Sequence, residues 1–220
     1  MTYSRLIGGL FLAGFLVYGV GSAMATSAAG AALSKISAGS TILVVGAVLM
    51  LLAMAVDVGK AVLFFPILEK HAKRTALGYL ATMIVEVCFL GLGAFFLLMI
   101  VPLARHAGEG WANGLGSLLV QANLTAYTIG EAVLGFGALF LCALLWRSGL
   151  IPGWLAISGL IGYVCLMTGQ IAALFGAVPN IGIYSVIPGT FFEFAMPAWL
   201  IVKGFRPAAY AGKPLTQAVA

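Results

Sequence analysis

The sequence predicts an all-α fold: a polytopic membrane protein, one integral domain over residues 1–220, built as a bundle of six transmembrane helices. Three observations predict it: the composition, the spacing of long apolar runs, and the placement of the basic residues. Hydrophobic residues make up 63% of the chain and charged residues only 8%, against about 25% charged in soluble domains. Mean hydropathy is +1.14. A globule in water would lack the polar side chains to cover its outside. This excludes a soluble enzyme, a nucleic-acid-binding domain and a disordered chain. The net charge of +5 then reads as a bias of the loops rather than as affinity for nucleic acid.

Each element follows from the apolar runs. About 20 mostly apolar residues span a hydrocarbon core of about 30 Å. Six runs qualify: residues 6–25, 41–65, 76–103, 118–146, 154–175 and 182–202. The connecting segments 26–40, 69–75, 104–116, 147–152 and 176–181 are polar or rich in Gly and Pro. No ten-residue alternating pattern suggests a β-barrel, and only helices then satisfy their own backbone in lipid. Arg5, the first apolar run and Ala23-Met24-Ala25 also fit a cleaved leader, which would leave five helices. The run is long for such a leader, so the first helix is expected to remain. Cys88, Cys142 and Cys165 lie inside apolar runs and read as small buried hydrophobes.

Orientation follows from the bases. With the N-terminus inside, Arg5, Lys70, Lys73, Arg74, Arg147, Lys203, Arg206 and Lys213 all face the cytoplasm. Lys35 and Arg105 fall outside, and Lys60 lies within a span. This is a strong positive-inside bias, with both termini cytoplasmic. Trp146, Trp154 and Trp199 mark the same boundary and Trp111 the other. His71 and His106 fall in opposite loops, so they cannot share a metal and read as solvated residues.

Three stretches carry a resemblance. They are Arg5-Leu6-Ile7-Gly8-Gly9-Leu10, then Arg147-Ser148-Gly149-Leu150-Ile151-Pro152-Gly153-Trp154-Leu155-Ala156, then Trp199-Leu200-Ile201-Val202-Lys203-Gly204-Phe205. With Pro66-Ile67-Leu68, Glu86 and Glu193, the sequence resembles a bacterial family of six-helix membrane proteins labelled domain of unknown function 4386. The resemblance covers nearly the whole chain and implies a fold and a bacterial membrane, but no reaction or ligand; the inner membrane with both termini cytoplasmic is the expected location. Asp57-Val58-Gly59-Lys60 lies outside the shared pattern.

Ionisable residues inside spans are costly and mark candidate sites. Asp57, Glu86, Glu131 and Glu193 all lie within predicted helices. At a rise of about 1.5 Å per residue, Asp57, Glu86 and Glu193 stand roughly 15–18 Å from the cytoplasmic boundary, and Glu131 higher. Lys60 is one turn from Asp57 and is the one base facing four acids. At least two of those carboxyls therefore lack a basic partner, and a carboxylate so placed in low dielectric takes up a proton. Thr82, Thr128 and Thr190 sit three or four residues before Glu86, Glu131 and Glu193, and Tyr127 four before Glu131. Pro197 withholds an N–H from the carbonyl of Glu193, which predicts a break beside a membrane carboxyl. The candidate polar site is thus Asp57, Lys60, Glu86, Glu131 and Glu193, with Thr82, Thr128, Thr190 and Pro197, on helices two, three, four and six.

Two functions fit. One is translocation of a small solute or ion, linked to protonation of the midplane carboxyls. The other is a non-catalytic accessory or scaffold subunit whose buried acids hold helices together. No metalloprotease, hydrolase, nucleotide or dinucleotide motif occurs. No enzyme activity, cofactor, metal or nucleic-acid partner is expected. The surroundings are the lipid bilayer, with a protein partner or homo-oligomer left open. Small-residue pairs such as Gly9/Ala13, Gly21/Ala25 and Ser158/Gly162 permit close helix contact. The tail 207–220 has little to bury.

Overall fold

A computed structural model describes residues 2–30 and 33–207, without the side chains of residues 2, 34, 35 and 37–39. The expectations for Lys35, Lys213 and residues 208–220 lie outside what is described. Among the described residues there are only helices and turns. They are α1 (Thr2–Ala29), α2 (Leu33–Leu98), the short α3 (Ile100–Leu103) with a 3-10 turn (Ala104–His106), α4 (Ala112–Ser148), α5 (Gly153–Leu174) and α6 (Ile181–Val202). Five helical segments are long and apolar enough to cross a membrane.

The expected third span is not a separate segment: it is fused to the second in the 66 residues of α2. A straight helix of that length would reach about 100 Å, three bilayer cores. It is not straight, because Ala72 leaves helical geometry at φ −158°, ψ 92°. Leu43 and Met50 share one core cluster with Ala94, Leu97 and Ile100. Ala61, Phe64 and Ile67 share another with Ala76, Tyr79 and Met83. Each group pairs residues about equally distant from Ala72, so the limbs 33–71 and 73–98 fold back antiparallel. The predicted connector 69–75 shrinks to one non-helical residue. No Gly or Pro lies between Pro66 and Gly78, and Glu69, Lys70, Lys73 and Arg74 are good helix formers. The connector 26–40 shrinks likewise, as Ala28 and Ala29 carry α1 onward and α2 begins at Leu33. Two further readings change. His71 is buried rather than solvated, and Cys88 is exposed on the outer surface while Cys142 is buried.

The family-like stretch after α4 is a helix–turn–helix. Gly149 ends α4 in the left-handed region at φ +66°, where a Cβ would be strained. Pro152, at φ −57° and ψ 137°, then starts α5. Its Leu150 carbonyl accepts the Arg206 backbone N–H at 3.0 Å. At the same end of the bundle, Arg5 Nε donates to the Ile201 carbonyl at 3.1 Å. Ser4 stands directly over the Gly204 backbone. The first and last helices therefore begin and finish side by side, among Arg5, Arg147, Lys203 and Arg206.

The other end carries Trp111, whose Nε1 donates to Glu109 at 2.5 Å, with His106 Nδ1 2.7 Å from the same carboxyl. These hydrogen bonds, His106 first and then Trp111, hold Glu109 below the usual carboxylate range. Large apolar side chains face outward along the helices between the ends, among them Leu16, Leu52, Phe95, Leu118, Ile161 and Ile187. That belt suits acyl chains, while the core clusters and the acids lie inside.

Close helix approach uses glycine where a side chain would collide. A Cβ on Gly162 would meet Gly189 Cα at 2.6 Å, which brings α5 against α6. Gly21 and Ala25 of α1 meet Gly46 of α2 in the same way. A Cβ on Gly9 would meet nothing within 4 Å outside its own turn of helix, so Gly9 brings no other helix close.

Candidate functional site

The acids converge. Asp57 and Lys60 from the first limb of α2, Glu86 from the second, Glu131 from α4 and Glu193 from α6 all line one cavity of about 410 Å³. Lys60 Nζ lies 2.5 Å from Asp57 Oδ1 and 4.6 Å from the centroid of the Phe11 ring. The ammonium is thus held by a carboxylate one turn away and by an aromatic face. Gly14 of α1 leaves room for this pair, since a Cβ there would lie 2.6 Å from Asp57 Oδ1.

The remaining carboxyls lack a base. Tyr163 of α5 donates its hydroxyl to Glu193 Oε1 at 3.1 Å. Tyr127 stands one turn before Glu131, and its ring stacks on Tyr18 of α1, centroids 6.2 Å apart and planes 14° apart. Glu86 is 3% exposed. Its Oε2 has no hydrogen-bond partner. That oxygen is closed off from the cavity although the residue lines it, so a charge on this carboxyl is costly unless another group balances it.

The threonines and the proline do not belong to the cavity. Thr82 Oγ1 donates to the carbonyls of Gly78 and Tyr79, Thr128 to Leu124 and Thr190 to Val186. Each hydroxyl satisfies itself on its own helix, the common habit of Thr in apolar helices. Thr82 also fills the notch left by Gly137 of α4, a packing role. Pro197 is buried with its carbonyl against Gly8, and α6 runs through it unbroken from Ile181 to Val202. The predicted break does not interrupt α6, and Gly8 of α1 packs on that turn.

Two helices contribute more than the sequence suggested. α1 lays a stripe along the cavity through Phe11, Gly14, Tyr18, Ser22 and Thr26, at three- and four-residue spacing. α5 adds Tyr163, and the second limb of α2 adds Tyr79. Tyrosines in membrane helices gather at the interfaces. Tyr18 and Tyr163, well inside their spans, were the available signal for both helices. Among the described residues, no three His, Cys, Asp or Glu side chains come close enough together to hold a metal ion.

Helices of this length and apolarity, an outward apolar belt and a carboxyl-lined cavity between them define a multi-pass membrane protein. The chain belongs to the family described as Domain of unknown function (DUF4386), whose model matches residues 6–204. No curated protein and no solved structure matches the chain.

Proposed function

We propose that this protein crosses a bacterial inner membrane six times with both termini in the cytoplasm, and that its cavity carries a small solute or ion across in a step linked to carboxyl protonation. The observation that carries this reading is the meeting of Glu86, Glu131 and Glu193, from three separate segments, in one cavity rather than in dry helix contacts. Structural glue needs partners, and Glu86 Oε2 has none. Six crossings are supported by the fold-back at Ala72 and by Ser4 lying against Gly204, since an odd number of crossings would separate them. The N-in orientation is supported by the bases gathered at that shared end. In this reading the protein performs no chemistry on its solute and needs no cofactor.

The test uses purified protein in vesicles with a pH-sensitive dye inside and a panel of small solutes outside. A solute-dependent, pH-dependent flux is expected, lost in Glu193→Gln while the variant remains folded. Unchanged flux in that variant, or none in the native protein, overturns the reading. A fixed-stoichiometry partner without flux is the result an accessory subunit would give.

A further inference from the structure

We propose that the cavity binds a monovalent organic cation, an ammonium carrying apolar or aromatic groups, with Glu86 as its counter-charge. This rests on the translocation reading only for its consequence, since binding can be measured without transport. Charge is the first argument. Asp57 is matched by Lys60, which leaves Glu86, Glu131 and Glu193 facing the cavity with no base. Tyr163 donates to Glu193 and the Tyr127 hydroxyl bonds Glu131, whereas Glu86 Oε2 is buried without a partner. A ligand that brings a positive charge replaces the proton such a carboxyl otherwise takes up and balances the charge left behind. A neutral or anionic ligand does neither.

The walls are the second argument. Besides the acids, the cavity is lined by Phe11, Phe15, Tyr18, Tyr79, Tyr127 and Tyr163. Aromatic faces attract ammonium groups, most strongly where water is scarce. The protein already uses this inside the cavity, where Lys60 Nζ sits over the Phe11 ring. The third argument is size. About 410 Å³ falls within the range of small-molecule sites and far exceeds a dehydrated metal ion. Among the described residues, no three His, Cys, Asp or Glu side chains gather closely enough to ligate one. The space and spacing suit an extended cation with a single charge.

The experiment follows tritiated benzyltrimethylammonium on the purified full chain in detergent by equilibrium dialysis. Phenylmethanesulfonate, with the same ring and opposite charge, serves as competitor. Saturable binding is expected, with the sulfonate at least about tenfold weaker than the unlabelled cation as competitor. Glu86→Gln is expected to weaken binding about tenfold or more, and Glu69→Gln, outside the cavity, to leave it unchanged. Absence of saturable binding, equal displacement by the sulfonate, or full binding in a folded Glu86→Gln overturns the proposal. Should Glu86→Gln not fold, the comparison of cation with sulfonate on the native protein decides alone. Proton-linked flux of another solute without cation binding overturns this inference and leaves translocation standing. Cation binding without any flux does the reverse.

Discussion

Asp57 and Lys60 show how a buried charge is made tolerable, by a partner one turn away, a ring under the ammonium and a glycine opposite. Removing Asp57 takes away the one carboxylate in contact with Lys60, and Glu86 and Glu193 act on it only across the cavity. Asp57→Ala is expected to lower stability by about 3–5 kcal/mol. Asp57→Ala with Lys60→Ala should lose clearly less. Reversible unfolding in mixed micelles measures both, and a double variant no better than the single would show that the pair is not coupled. At this scale the acids were legible in sequence, because four carboxyls in apolar runs stand out by count. Their surroundings were not. Whether Thr82 or Tyr163 faces a carboxyl depends on how each helix is rotated about its axis, and near-uniformly apolar helices leave that rotation open in the sequence. Thr82 turned to its own backbone, and Tyr163, on a helix without acids, turned to Glu193.

Among the elements, the α5–α6 crossing is one of the closest joints. A side chain on Gly162 would meet Gly189 and the Pro188 carbonyl, all backbone and unable to yield. Gly162→Val is expected to lower the melting temperature in detergent, by about 1–3 kcal/mol of overpacking. Gly9→Ala, facing open space, should leave it unchanged or slightly raised. Equal effects of the two would refute the packing account. The apolar runs located the long apolar helices, because lipid demands an apolar stretch of a certain length whatever the tertiary contacts. The ends of helices were less legible. Alanine-rich and charged connectors such as 26–29 and 69–71 continue the helix, and polarity alone does not stop one. Where glycine reached a left-handed conformation, as at Gly149 and Gly176, the boundary did fall where expected.

For the whole molecule, the gathering of bases at one end could be read from sequence, since loop charge alternates with each crossing. The cavity could not, since it is what remains after five helical segments have packed. The shared end is testable. Reporters active only in the cytoplasm, joined beside Ser4 or after Arg206, should both be active, and one inserted at Gly108 silent. Activity of only one terminal fusion would require an odd number of crossings. The contact of Ser4 with Gly204 has a practical corollary. Two copies of the 2–207 body can be threaded into a single polypeptide by a short tether, each keeping the same way up. One cavity of such a tandem can then be disabled while its twin is left intact.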